Sequence, residues 1–214
     1  SMITASYESD FMKDINEEAK AAGIVILNEI GLDPGIDHLS AMKIIHEAKE
    51  KGEKIRSFVS WCGGLPAPEF NDNPLGYKFS WAPKGVLQAL SNEAVYLRKN
   101  KVETVESRDL LRWSEPLSIA GMALEGYPNR ESTSYQSVYG IPAAENILRG
   151  TFRFSGFSEI IQAAKSLGLL RPESNSSDST LEAPLSWKQY LQALNQGTFE
   201  QKLDSLRTVA REGI

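Results

Sequence analysis

The stretch "IVILNEIGLDPGIDHLSAM", Ile24 to Met42, decides the architecture. Its opening run, Ile24 to Ile30, is almost uninterrupted in apolar residues, rich in β-branched side chains and of strand length. That is the pattern of a strand covered on both faces in a parallel sheet. Just before it, Phe11, Ile15, Ala19 and Ala22 recur at helical spacing, with Ser9 where an N-cap belongs and Gly23 where a helix C-terminal glycine belongs. A helix leading into a buried strand is a unit of an α/β fold, entered here in mid-fold. After the Gly31–Gly35 turn, Leu39, Met42, Ile45 and Ala48 mark a second helix that ends near "EKGEK", with Asp37 placed as its N-cap.

Toward the C-terminus, "IRSFVSWCGG" alternates as a strand and runs into the loop "GGLPAPEFNDNPLG". Shorter strands are expected at "YKFSW", "VETVES" and "GTFRFSGF", and helices near Val86 to Arg98 and Phe157 to Leu167. Several strands of alternating pattern behind the opening parallel unit predict an antiparallel or mixed sheet, so the fold class is α/β grading into α+β. "RPESNSSDSTLEAP", from Arg171, has almost nothing to bury and reads as a polar linker. Beyond it, Trp187, Leu191 and Leu194, then Leu203, Leu206 and Ala210, form two short helices, the second opened by a Thr198/Gln201 capping box. There is no internal repeat.

Composition narrows the function. The 214 residues, 41% hydrophobic and 24% charged, suffice for one sizeable core or two small ones. A formal charge of −5 without a basic run gives no footprint for nucleic acid or an anionic membrane. No apolar run reaches the roughly 20 residues that span a bilayer, and the start lacks a signal-peptide layout, so a soluble, cytosolic protein is expected. The single cysteine, Cys62, precludes a disulfide framework or a multi-thiolate metal site. The opening Ser-Met reads as an expression scar, which puts the natural start upstream.

"GLDPGIDH" stands at a strand's carboxyl end and opens a helix, where α/β sheets collect ligands. Its glycines and proline shape a tight turn, and Asp33 is assigned a site role; Asp37 either caps the helix or serves the site. Asp33, Asp37, His38 and His46 make a poor metal set, because Asp37 and His38 are adjacent on a helix and no thiolate assists. Cys62, at a strand end before two glycines, is either an inert buried thiol or a nucleophile with a lowered pKa. Arg130 in "YPNRES" and Arg149 and Arg153 in "RGTFRF" sit beside short polar residues. They suit a substrate with several carboxylates, or else ordinary surface ion pairs. No G-x-G-x-x-G, P-loop or G-x-S-x-G motif occurs, so the chain has no dinucleotide fingerprint of its own.

Together "ASYESDFMKDINEEAKAAGI", "LNEIGLDPGIDHLSAMK", "CGGLPAPEFNDNPLGYKFSWAPKGVL", "YPNRES" and "RGTFRFSGF" strongly resemble the saccharopine dehydrogenases of the glutamate-forming kind, over roughly residues 4 to 170. The resemblance implies the end of a Rossmann domain at residues 1–35 and a mixed-sheet saccharopine-binding and dimerisation domain at 36–170. A linker at 171–183 and part of a helical domain at 184–214 would follow, while the first Rossmann strands and their glycine-rich turn are lacking. It further implies an NAD- or NADP-dependent oxidoreductase acting on a secondary amine in lysine biosynthesis or degradation. Its substrate would be saccharopine and its assembly a homodimer, in the cytoplasm, or in the mitochondrion for a lysine-degrading fusion. Carried onto this sequence, it places Ser6, Tyr7, Arg130, Thr151, Phe152 and Arg153 at the substrate. Thr4, Ala5, Leu32, Asp33, Pro34 and Trp81, or Ser80 in place of Trp81, fall at the cofactor, with Cys62 in the pocket. Tyr7 and Asp33 are the expected proton-transfer groups. Alone, this chain is expected to be inactive, serving as a substrate-binding or dimerisation module.

Overall fold

The computed structural model describes residues 1–166 and Leu170. The expected linker and helical tail, residues 171–214, lie outside the described residues. The chain opens with β1 (Met2–Ile3), α1 (Asp10–Asp14), α2 (Asn16–Ala21) and β2 (Ile26–Leu27), then α3 (Ile36–Glu50) and β3 (Ser57–Cys62). It continues through α4 (Pro83–Ala89), β4 (Ala94–Arg98), β5 (Lys101–Val105), β6 (Glu115–Ile119), β7 (Met122–Pro128), α5 (Tyr135–Val138), β8 (Asn146–Phe154) and α6 (Phe157–Ser166).

The expected mixed sheet is present, and β8 is its hub. It pairs in parallel with β3, from Ser57 opposite Asn146 to Cys62 opposite Thr151, and antiparallel with β7 from Gly150 to Phe154. A bridge between Leu97 and Ile147 joins β4, and hairpins add β5 and β6 at the two ends. Two positions without a side chain shape the centre. A Cβ on Gly150 would stand 2.1 Å from the Trp61 ring, and one on Gly126 would stand 2.7 Å from it. The bare backbones of β7 and β8 thus make a seat for an indole that no other residue type would leave open.

Two apolar clusters hold the sheet. One gathers Ala41 and Ile45 of α3 with Tyr139, Ile141, Ala144 and Ile147. The other gathers Tyr77, Val86, Leu90, Tyr96, Leu110, Tyr127, Leu148, Phe157 and Ile161, with Trp61 packed against it. A fully buried side chain of this size contributes about 1.5–3 kcal/mol, so these clusters outweigh the surface ion pairs, each worth under about 1 kcal/mol. Among the described residues no helix is long and apolar enough to cross a membrane.

Several expectations are corrected. The helix from Ser9 to Ala22 is two helices interrupted at Ile15, although Ser9 does cap the first by accepting the Met12 N–H. The strand at Ile24–Ile30 shrinks to Ile26–Leu27, paired in parallel with Met2–Ile3, and Ile24, Val25, Leu27 and Ile30 are exposed. Burial on both faces needs layers above and below, and the described residues supply one neighbouring strand. "YKFSW" is a loop: Asn73 holds it by accepting the Leu75 N–H at 3.1 Å and donating to the Tyr77 carbonyl at 3.1 Å. The helix expected over Val86–Arg98 ends at Ala89, and Ala94–Arg98 is a strand. Leu39, expected in the core, is 71% exposed, while Ala41 and Ile45 face inward. Asp37 does not cap α3, whose N-cap is Gly35; it lies inside the first turn.

Candidate active site

Three stretches of chain converge at the carboxyl end of β2. The segment after β1 runs beside it: the Thr4 N–H donates to the Leu27 carbonyl at 2.9 Å, the Ile30 N–H to the Thr4 carbonyl at 3.0 Å, and the Glu29 N–H to the Ser6 carbonyl at 3.0 Å. The Gly31–Gly35 turn then folds on itself, with the Gly31 N–H on the Pro34 carbonyl at 2.9 Å and the Ile36 N–H on the Gly31 carbonyl at 2.9 Å. Gly35 has φ +151°, and a Cβ there would stand 2.0 Å from the Gly31 carbonyl oxygen, so the turn closes only with glycine. The Asp33–Pro34 peptide is cis. This turn aims Asp33 and Asp37 at β8, the third stretch.

There the side chains form a connected cluster. The Tyr7 hydroxyl donates to Asp33 Oδ1 at 3.0 Å. Arg149 Nη2 donates to the same Asp33 oxygen at 2.8 Å and to Asp37 Oδ2 at 2.5 Å, while Nη1 donates to the Tyr135 hydroxyl at 2.7 Å. Asp37 Oδ1 accepts the Gly35 N–H at 2.7 Å, tying the ion pair to the turn. The Arg149 guanidinium lies 4.8 Å from the Tyr135 ring and 5.9 Å from the Tyr7 ring, and Arg130 covers Tyr7 at 5.1 Å. Behind them His38 Nδ1 is 2.7 Å from the Tyr139 hydroxyl, and its ring stacks on Tyr135. His38 Nε2 is 3.2 Å from Glu29 Oε2, close enough to pair but not aligned for a hydrogen bond.

The electrostatics assign states. Burial pushes the Tyr7 phenol above its ordinary value; Arg149 pulls it back in part, and Asp33 adds to the rise. Tyr7 is therefore a proton donor, not a phenolate, at neutral pH. Burial, followed by the neighbouring Asp33 carboxylate, pushes the Cys62 thiol up to about 12. A nucleophilic thiol needs the opposite shift, so Cys62 is the inert alternative. Burial opposes the charge of Arg149, yet Tyr7, Tyr135 and Asp33 more than offset that and hold it protonated.

A second group of side chains lies further along β8. Arg149, Thr151 and Arg153 alternate onto one strand face, and Thr151 stands opposite Cys62 of β3. Arg153 is 7% exposed and lies 4.8 Å from the Tyr77 ring and 5.5 Å from the Phe157 ring. Its Nη1 donates to the Phe152 carbonyl at 2.8 Å, its Nε is buried without a partner, and no ion pair reaches it among the described residues. A Cβ on Gly63 would stand 3.0 Å from Arg153 Nη1, so the loop after β3 crosses that guanidinium closely. Ser80 lies beside Gly64 of the same loop.

Of the residues expected at a site, the structure joins Tyr7, Asp33 and Arg130 directly, sets Ala5 against Gly31, and links Thr4 to Ser6 through their hydroxyls at 3.2 Å. Leu32 is 62% exposed beside them, and Pro34 is buried in the turn. Thr151, Phe152 and Arg153 fall in the second group. Trp81, half exposed, packs its ring on Gly85 of α4. Arg149 differs from Arg130 and Arg153, because its Nη2 donors and one Nη1 donor are engaged by Asp33, Asp37 and Tyr135 of the protein itself. Arg149 and Arg153 are four residues apart, which in a strand sets them on one face, but nothing local announced Tyr135 or Asp37 as partners of Arg149.

Comparison with known proteins gives this geometry its context. A yeast (Saccharomyces cerevisiae) protein named saccharopine dehydrogenase [NADP(+), L-glutamate-forming] is 49% identical over 197 residues, covering 90% of this chain and 44% of the relative. The rat mitochondrial alpha-aminoadipic semialdehyde synthase is 46% identical over 200 residues, 89% of this chain and 21% of that protein. A solved structure, apo histidine-tagged saccharopine dehydrogenase (L-Glu forming) from Saccharomyces cerevisiae, superposes with TM-score 0.82 at 43% identity, covering 99% of this chain and 49% of that one. The chain thus spans about half the length of these yeast proteins. The family profile described as saccharopine dehydrogenase C-terminal domain matches residues 31–210, beginning at the glycine turn that aims Asp33 and Asp37 at Arg149. With that match over most of its length, the chain belongs to the saccharopine dehydrogenase C-terminal domain family.

Proposed function

We propose that this chain is the substrate half of an NAD- or NADP-dependent saccharopine dehydrogenase. In that reaction saccharopine's secondary amine is oxidised to an imine, and water splits the imine into L-glutamate and 2-aminoadipate 6-semialdehyde. The observation that carries the reading is Arg153. A guanidinium this buried, with no ion-pair partner among the described residues, is an incomplete ion pair: Glu125 stands opposite it across β7 and β8, but its carboxylate is taken by the Gly156 and Ser158 N–H groups. Saccharopine brings three carboxylates, and a two-oxygen anion matches the unused fork of donors. Arg130, exposed above Tyr7, offers a second carboxylate contact, and Thr151, on the strand face of Arg153, lines the wall between, with Phe152 adjoining through its backbone carbonyl.

Residues 1–35 then close a dinucleotide-binding half, and 36–170 form the substrate domain, which also supplies a homodimer contact. Thr4, Ala5, Leu32 and Pro34 fit a nicotinamide ring: they form a small, uncharged edge beside Tyr7 and Asp33, with Leu32 open to it. Trp81 or Ser80 would complete that side. When bound, the nicotinamide takes the hydride from the carbon attached to nitrogen. This chain's part is to hold saccharopine by its carboxylates, orient the amine, and keep a proton at the Tyr7 hydroxyl facing Asp33 Oδ1, where nitrogen and water exchange protons. The protein works in the cytoplasm, or in the mitochondrion as the rat relative's name has it.

The test is turnover by the full-length protein carrying this chain, followed as reduced nicotinamide with saccharopine and either NADP or NAD. Turnover is expected, and Arg153→Met should raise KM for saccharopine by about 30-fold or more, since truncating one partner of a buried charge pair costs about 2–5 kcal/mol. Absence of turnover with both dinucleotides, or an unchanged KM, refutes the proposal.

A further inference from the structure

We propose that Arg149 is the positioning residue of this site: it binds no substrate carboxylate but fastens Asp33, Asp37 and, through Asp33, Tyr7 into one fixed arrangement. The inference rests on the reading above, whose reaction needs a proton held at Tyr7. It goes beyond that reading by removing one of the three arginines from substrate recognition and giving it a different task.

The geometry argues it step by step. Arg149 comes from the middle of β8, which is tied to β3 on one side and β7 on the other. Its backbone N–H donates to the buried Ser132 Oγ at 3.0 Å, which pins the strand at that residue. The side chain is 9% exposed, and its two Nη atoms reach four acceptors: Asp33 Oδ1, Asp37 Oδ2, and the hydroxyls of Tyr7 at 3.4 Å and Tyr135 at 2.7 Å. Both Nη2 donors and one Nη1 donor are thus committed within the protein, whereas Arg153 makes one bond, to the Phe152 carbonyl.

Without a cation between them, the carboxylates of Asp33 and Asp37 would face one another across the turn. Repulsion between like charges at such range in a partly buried site would push them apart. Asp37 is anchored by the Gly35 N–H, so Asp33 would be the one to move, and the Tyr7 hydroxyl that rests on Asp33 Oδ1 would move with it. The groups facing Arg149 are Tyr7, from the segment after β1; Asp33, from the turn; Asp37, from α3; and Tyr135, from α5. Cys62 of β3 adjoins Asp33, and Arg130 stands over Tyr7. A lysine at this position carries the charge but no fork, and so can satisfy one carboxylate at a time.

Two measurements test it, and they fail separately. In the first, the 214-residue chain is labelled with ¹³C-tyrosine, and the ring signals of wild type, Arg149→Lys and Arg149→Met are compared. Tyr7 and Tyr135 are expected to shift or broaden while the core rings of Tyr96 and Tyr127 keep their positions. Unchanged Tyr7 signals, or collapse of all ring signals together, overturn the proposal without reference to any substrate. In the second, the full-length enzyme is assayed with saccharopine across pH. Arg149→Lys is expected to lower kcat by about 10- to 100-fold with KM changed less than about 3-fold, and Arg149→Met to displace the acidic limb of the pH profile. A KM raised about 10-fold with kcat intact would make Arg149 a substrate ligand, and a loss matched by the unfolded fraction with an unaltered pH profile would make it merely structural. Either result overturns the inference. Wild-type inactivity toward saccharopine would sink the functional reading instead, leaving the tyrosine spectra to judge Arg149.

Discussion

Cys62 is the side chain whose chemistry changes most between sequence and structure. Its neighbours on the chain, a strand end and two glycines, left a nucleophile open beside the favoured inert thiol. Burial and the Asp33 carboxylate decide for the second. A thiol of pKa about 12 is ionised in roughly one molecule in ten thousand at about pH 8. Alkylation by iodoacetamide at that pH is therefore expected to run at least about 100-fold slower than for a free cysteine, and Asp33→Asn to accelerate it. A normal rate in the wild type would contradict the placement. Gly35 gives a sharper case: alanine there meets the Gly31 carbonyl at 2.0 Å in a backbone conformation that side chains avoid. Gly35→Ala is expected to cost more than about 2 kcal/mol in denaturant titration and to abolish saccharopine binding together with it. Such glycines are legible in sequence as a turn, but which atom they must clear is not. Likewise, Asp33 was legible from its turn at a strand's carboxyl end, but Tyr7 was reachable only through family resemblance, since the two are 26 positions apart and meet by folding.

Among helices and strands, the errors have a common physical root. Val86, Leu90, Ala94 and Leu97 keep a helical rhythm across a place where the chain turns. The break comes at Ser91 and Asn92, whose N–H groups close the helix on the Gln88 and Ala89 carbonyls. Ala94–Arg98 then pairs with β5, which a two-residue turn at Lys99 and Asn100, both with positive φ, folds back with Arg98 opposite Lys101. A similar turn at Ala120 and Gly121 makes the β6–β7 hairpin. Where a strand's alternation is clear, as in "RSFVSWC" and "GTFRF", the sequence sufficed for the element, though not for its pairing, since these two lie side by side about 90 residues apart. The seat of Trp61 was invisible, because Gly126 and Gly150 come from strands that only the folded sheet sets side by side. Filling that seat is a defined test: Gly150→Ala puts a methyl group 2.1 Å from the indole and is expected to destabilise the protein by about 1–3 kcal/mol. Trp61→Leu in the same background should recover part of that loss, and a neutral Gly150→Ala would show that the ring is elsewhere.

Taken as a single folding unit, the protein should be fragile in alkali. Burial raises the phenols of Tyr96 and Tyr127 to about 12, and those of Tyr7, Tyr135 and Tyr139 are also raised above 10.0. Between these folded values and the ordinary 10.0 the native state binds more protons than the unfolded chain, so stability falls as pH rises through that window. Below about pH 9 the contribution is complete and stability should be flat with respect to these groups. Thermal melts are expected to show Tm dropping steeply between about pH 10 and 12, with tyrosinate absorbance appearing in step with loss of the helix signal. Gradual tyrosine ionisation ahead of unfolding would contradict the burial of these rings. The sheet and its connections were foreseeable in class but not in order, since a hub strand late in the chain, β8, collects partners from everywhere before it. The Trp61 seat has one further consequence. An indole held against two bare backbones, one residue before Cys62, lies on the sheet face opposite Thr151 and Arg153. Its surroundings exist only while β3, β7 and β8 stay in register, so a change in its emission should mark the opening of the hub strands without attaching a label.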